Sequence, residues 1–284
     1  MCNLFLTLAP SSSRYSLILL SNRDEVLARP TAEAAWRDGI LAGIDLQDAM
    51  HGTWLGINEQ GKIGALLTIT QRSDQRRDDA IPRGGIVHGF LKSDKTGAEY
   101  CDSLTQTAMD HNGYTFVSID RPNGEYEMHS FTNFLVDNFE RKDWTKGLQV
   151  VGNCPPHKTY KKMERGRKLL EETLKGIDDV ANPQEVAEAL FKMGQDREVC
   201  FPDEQLASQV NEYDPRDLAT IFMRIGSPAW YGTRSQTALV VEKDGSAFVR
   251  ERRLISIGDD LEENWETQDF TFQLPSRTGA PAVG

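Results

Sequence analysis

Two short apolar runs at the start of the chain, residues 3–8 and 15–20, limit what it can fold into more than anything after them. Between them lies Ala9-Pro10-Ser11-Ser12-Ser13-Arg14, rich in residues that turn a chain. Two runs of this length around such a spacer predict an antiparallel hairpin. In an antiparallel pair the end of the second strand lies beside the start of the first. Cys2 is therefore expected to meet Ser21-Asn22-Arg23-Asp24-Glu25. If Met1 is trimmed, Cys2 carries a thiol and a free α-amine on one residue, with ordinary pKa values of about 8.5 and 7.7–8.0. Such an amine can serve as the base for its own side chain. The plainer reading takes Cys2 as a small apolar residue opening a buried strand, and Arg23 with Asp24 as a buried ion pair fixing the strand end.

Further along, residues 52–58 and 62–70 predict a second hairpin around Glu59-Gln60-Gly61. Residues 32–48 show little periodicity and read as a loop over the sheet. Residues 71–79, with six charges of both signs, read as an exposed loop. Arg83-Gly84-Gly85 opens a helix with Ile86, Val87, Phe90 and Leu91 on one face. Ser93 is expected to cap a second helix over 95–110, stopped by Asn112-Gly113. Strands follow at 114–119, 126–132 and 148–152, the last presenting Asn153-Cys154-Pro155-Pro156. Helices are predicted over 158–175 and, from Asn182-Pro183 at the cap and first turn, to about 194. Residues 196–216, broken by Pro202 and Pro215, read as a surface insertion. Strands at 236–243, 247–254 and 269–274 close the chain, Asp244-Gly245 forms a tight turn, and residues 275–284 read as a disordered tail. Strands in pairs and helices in pairs fit an α+β layered fold better than alternating units, in one domain over 1–274. Trp54 and Trp265 are expected in the core.

The net charge of −11 argues against a nucleic-acid or anionic-membrane binder, which needs a basic patch. No apolar run approaches the roughly 20 residues of a membrane span, and the start of the chain lacks the pattern of a signal peptide or a mitochondrial presequence. The four cysteines, Cys2, Cys101, Cys154 and Cys200, form no C-x-x-C pair, which fits a reduced, cytoplasmic setting. There is no phosphate loop and no zinc-ligand spacing, so no nucleotide or metal site is expected.

Six motifs in order carry a resemblance. Met1-Cys2, Asn22-Arg23-Asp24-Glu25, Gly52-Thr53-Trp54-Leu55-Gly56, Arg83-Gly84-Gly85, Tyr231-Gly232-Thr233-Arg234 and Trp265-Glu266-Thr267 resemble the transport and Golgi organisation family, also called the NRDE family. The resemblance runs from residue 2 to about 274. It implies an αββα sandwich of the N-terminal nucleophile hydrolase type. It also implies a carrier that mobilises haem from haem-rich compartments, with links to mitochondria, secretory organelles and lipid metabolism. A more distant likeness is to choloylglycine hydrolases and penicillin V acylases. Carried over from it, Cys2 is the nucleophile, Asp24 holds the α-amine or a polar substrate group, Asn153 helps bind an oxyanion and Arg234 stabilises the site electrostatically. Asn22, Arg23 and Thr68 complete the pocket. Ser21 stands where the acylases place arginine, and Thr68 where they place asparagine, which lowers the expectation of efficient amide hydrolysis because losing one oxyanion donor typically costs about 10²–10³ in turnover.

Haem is expected as a transient ligand rather than a covalent cofactor. His51, His88, His111, His129 and His157 lack metal-ligand spacing to one another, and Cys154-Pro155 reads first as a rigid loop that aims Asn153. Two functions thus stand: a cytoplasmic carrier of haem or another small apolar or acidic ligand, and a Cys2-dependent hydrolase, thioesterase or acyltransferase. A scaffold with a protein partner is a third.

Overall fold

The opening hairpin forms as its sequence predicts. β1 (Asn3–Leu8) pairs antiparallel with β2 (Tyr15–Val26), with Asn3 opposite Asn22 and Leu8 opposite Leu17. The structure is a computed structural model describing residues 2–9, 14–177, 181–227, 230–258 and 262–275, so Met1 and nearly all of the expected tail lie outside the described residues.

After β2 come β3 (Thr31–Arg37), β4 (Ile40–Asp45), β5 (Leu55–Asn58) and β6 (Ile63–Thr68), then helices α1 (Gly85–Lys92) and α2 (Gly97–Ser103). Strands β7 (Tyr114–Asp120), β8 (Glu127–Thr132), β9 (Arg141–Trp144) and β10 (Gly147–Val151) lead into α3 (Lys161–Lys175), α4 (Pro183–Gly194) and the short α5 (Glu204–Gln209). The two-residue β11 (Arg224–Ile225), β12 (Tyr231–Glu242), β13 (Ser246–Ile257) and β14 (Glu263–Gln273) complete the order. One sheet runs β10-β1-β2-β12-β13-β14 with β11 on β12, the other β3 through β9 in sequence, and every pair is antiparallel.

Strand alternation builds three apolar layers. Leu4, Leu6, Leu17, Leu19, Leu239 and Val249 of the first sheet meet Leu41, Leu55, Ile57, Ile63, Val117 and Ile119 of the second. The opposite face of the first sheet, with Phe5, Ile18, Leu20 and Val240, packs on Met163, Leu170, Val186 and Leu190 of α3 and α4. The opposite face of the second, with Ile40, Phe116 and Phe131, packs on Val87, Phe90 and Leu91 of α1 and on Cys101 of α2. The layers therefore run helix, sheet, sheet, helix. Among the described residues no helix is long and apolar enough to cross a membrane.

Several local expectations change. Residues 32–48 are not a loop over the sheet but the β3–β4 hairpin, turned by Asp38 (φ 50°) and Gly39 (φ 73°). Left-handed geometry at two successive turn residues matches the twist of a tight hairpin, and Asp-Gly suits it. The helix expected over 95–110 begins at Gly97, capped by Thr96 in a reciprocal box with Glu99 rather than by Ser93, and tightens into a 3-10 helix over Leu104–Asp110. Asn182 and Glu185 form the same box at α4, as expected. Residues 196–216 are not a detached surface insertion: Asp203, Leu206 and Gln209 are buried, and Asp203 accepts from the amide of Lys161 at 2.7 Å. Strand β9, short and charged, was not expected. Trp54 packs against the central core, but Trp265 is only half-buried on β14, with Arg252 over its ring.

Candidate functional site

The pleat of β2 splits Asn22-Arg23-Asp24-Glu25 between two faces. Arg23 and Glu25 follow Leu17 and Leu19 toward the second sheet, where Arg23 Nη2 lies 3.1 Å from Asp45 Oδ2 on β4 and 3.7 Å from Glu25. Arg29 reaches the same Asp45 oxygen at 2.6 Å, and the Arg23 guanidinium sits 4.1 Å over the Trp54 ring. Asn22 and Asp24 follow Ile18 and Leu20 toward the helices. Asp24 Oδ1 accepts from Thr233 Oγ1 at 2.6 Å. The ion pair of the strand end is thus Arg23 with Asp45, not Arg23 with Asp24.

Cys2 sits where the hairpin predicts. Its Sγ lies 4.0 Å from the Asp24 carbonyl oxygen, and its backbone nitrogen donates to Asn153 Oδ1 at 2.6 Å. Asn153, at the end of β10 and fully buried, donates through Nδ2 to the Thr68 carbonyl at 2.5 Å and faces Thr68 Oγ1 at 3.4 Å. Its amide therefore orients Cys2 from behind. Cys2 is half-buried and lines the cleft, and burial pushes the thiol's pKa up. The neighbouring Asp24 charge adds to this, while Arg23 opposes it. Burial also raises the Asp24 carboxyl, against the pull of Lys162, Thr233 and Arg224. A thiolate needs cationic or hydrogen-bonded surroundings to be populated near neutrality; here desolvation outweighs them.

A cleft of about 960 Å³ opens above Cys2, lined also by Arg23, Asp24 and Thr68. Residues from the loop before α1, including Arg76, Arg77, Ile81 and Arg83, form one wall; Gln209, Val210, Glu212 and Tyr213 form another. The walls are tied together: Gln209 Nε2 donates to the Thr70 carbonyl at 2.8 Å, Asn211 and Ser73 exchange two bonds, and Arg76 pairs with Glu212. The second wall comes from residues 196–216, which read as a surface insertion because the stretch is polar and broken by Pro202 and Pro215.

Other expected site residues lie elsewhere. Asn22 is fully buried and does not line the cleft; Nδ2 donates to the Gly194 carbonyl at 2.8 Å and Oδ1 accepts from Gln236 at 3.0 Å. Arg234, the extra residue of a bulge in β12, is turned from the cleft toward the β2–β3 connection. It donates to the carbonyls of Val26 and Arg29 and to Thr31 Oγ1, and burial lowers its pKa to about 10. It holds the turn after β2 and does not line the cleft. Cys154 is packed in the helix-side core with its thiol pushed up to about 11, and none of the five histidines lines the cleft. The buried charge hardest to foresee is Lys162 on α3, which lies outside the cleft lining at 1% exposure in a strongly charged helix. Nζ donates to the Leu218 carbonyl at 2.9 Å, and desolvation lowers its pKa to about 8 against the pull of Asp24, Cys154 and Cys2. Among the described residues no cluster of three metal-ligating side chains occurs.

Two antiparallel sheets between helix layers, with a cysteine at the head of the first strand and a polar cleft over it, define an N-terminal nucleophile hydrolase fold. The solved conjugated bile acid hydrolase of Clostridium perfringens, in its C2A form, has the same fold: TM-score 0.50 over the whole of both chains, at 9% identity. The chain belongs to the family described as Transport and Golgi organisation 2, which it matches over residues 1–256. The Transport and Golgi organization 2 homolog of Mus musculus is 30% identical over 287 residues, covering 97% of this chain and 100% of the relative. The Drosophila melanogaster Transport and Golgi organization protein 2 is 26% identical, covering 93% and 95%.

Proposed function

We propose that this protein is a carrier whose Cys2 cleft takes up a small ligand, with haem as the ligand, in the cytoplasm and in association with mitochondria or secretory organelles. The observation that carries the carrier reading is the state of Cys2. Its thiol borders a cleft large enough for a macrocycle, yet burial keeps it protonated, and the nearby Asn153 amide is engaged by Thr68 and the Cys2 backbone. That arrangement favours holding a ligand over turning one over. The haem reading comes from the family. Haem contact through Cys154 or through any of the five histidines is not supported, since none lines the cleft. Absorbance titration with haem tests this. A saturable change is expected that survives Cys154→Ala and weakens in Cys2→Ala. No saturable change, or one matched by an unrelated acidic protein, would overturn it.

The 2.6 Å contact between the Cys2 nitrogen and Asn153 favours a second reading. If Met1 is trimmed, that nitrogen is an α-amine held in place beside the thiol, and a Cys2-dependent hydrolase, thioesterase or acyltransferase follows. Intact mass shows whether trimming occurs. Turnover of a small amide or thioester that is lost in a folded Cys2→Ser variant would establish the enzyme.

A further inference from the structure

Within the cleft the guanidinium groups are not equivalent. Arg23 and Arg29 share Asp45 and Glu25, and Arg76 pairs with Glu212. Arg77 is exposed and, among the described residues, has no carboxylate within 4.0 Å; its Nη2 donates to the Met109 carbonyl at 2.5 Å. Arg83 is half-buried and, among the described residues, has no carboxylate within 4.0 Å; Nη1 donates to the Gly113 carbonyl at 2.8 Å. A guanidinium carries five N–H donors in a fixed fork, so most of Arg83's donors remain for something in the cleft. Burial lowers its pKa, and the titratable groups facing it are Glu25, Arg29, Arg76 and the neutral Cys2 thiol. Asp48, behind Gly84, gives one carboxylate oxygen to the amide of Met50.

We infer that Arg83 is an anion-binding position that takes the carboxylate or phosphate head of an amphipathic ligand whose body lies along the cleft toward Cys2. The charge is desolvated enough to be strong and open enough to be reached, and a charged partner gives it two parallel hydrogen bonds that water cannot match. The body meets apolar patches that Ile81, Pro82 and Val210 set into the otherwise polar lining of the same cleft. Cys2 and Arg83 border one cavity, so a ligand anchored at its anionic end presents its middle to the thiol. This rests on the reading that the Cys2 cleft is the ligand site, and it holds for either function proposed above.

Calorimetric titration of the full chain with three ten-carbon probes tests it: decanoate, decyl phosphate and uncharged decanamide. The anions are expected to bind one site roughly ten- to hundredfold more tightly than the amide, as one charge-assisted contact implies. Whichever anion binds better identifies the head group. Arg83→Gln should bring both anions down to the level of the amide, while Arg83→Lys, which keeps the charge without the fork, retains only part of the preference. Thermal unfolding of both variants shows that they fold. On the unmodified protein the preference should shrink at high salt. Equal affinity for the amide and the anions, no binding by any probe, or an undiminished preference in folded Arg83→Gln would overturn the inference. A failed haem titration beside tight decanoate binding would overturn the haem reading alone.

Discussion

Lys162 carries its charge to a place water does not reach. Its pKa falls from 10.5 to about 8, which at neutral pH corresponds to roughly 3 kcal/mol of disfavoured burial. The sign follows from proton counting. Between about pH 8 and 10.5 the unfolded chain binds the proton and the folded one does not, so stability rises with pH in that window. Urea unfolding at pH 7 and pH 10 should show the native protein gaining about 2 kcal/mol relative to Lys162→Met; parallel behaviour of the two would mean that the lysine is solvated. Cys2 makes a second residue-level prediction. Because its thiol is pushed up by burial, iodoacetamide should label it at pH 7.5 more slowly than free cysteine. Peptide mapping separates it from half-buried Cys200. Labelling as fast as free cysteine would point to a thiolate and favour the hydrolase.

At the scale of elements, the motif glycines mark places where two backbones meet. A Cβ on Gly52 would lie 2.3 Å from Gly84 backbone atoms, and one on Gly232 would lie 2.3 Å from the Met223 carbonyl oxygen. The first contact brings the segment before β5 against the start of α1, one residue from Arg83. Gly52→Ala must therefore push the two segments apart, destabilising the fold by about 1–3 kcal/mol. It should also weaken ligand binding at the cleft more than a surface change of equal stability cost does. Chemical unfolding and the decanoate titration together check this; an unchanged affinity would mean that the cleft wall is independent of this contact. Elsewhere, the charged β9 carries no strand signal because an edge strand needs few apolar residues, and β3–β4 lacks the apolar alternation that would mark the strands on either side of the Asp38-Gly39 turn.

Across the whole molecule, Leu19 stands in the layer shared by both sheets and is fully buried. Leu19→Ala should cost about 2–5 kcal/mol, and fluorescence and circular dichroism should report one coincident unfolding transition, because neither sheet keeps its inner face covered without the other. Separate transitions would show that the sheets are stable apart. By itself the sequence determined the opening hairpin, the α+β class, most strands and the meeting of Cys2 with the end of β2, because these depend on alternation and turn chemistry between near neighbours. The family motifs added the layer order. Only the tertiary structure decided which side chains share the cleft. The pleat sends Asn22 away from it while Arg23 stays, a bulge turns Arg234 to a distant turn, and α5 brings Gln209 and Glu212 opposite Arg76. Lys162 ends buried because α3 lies flat on the first sheet. Each outcome depends on what packs against a residue from far along the chain, 56 positions for Lys162 and Leu218 and more than a hundred for Asn22 with Gly194 and Arg234 with Val26, and no local pattern carries that.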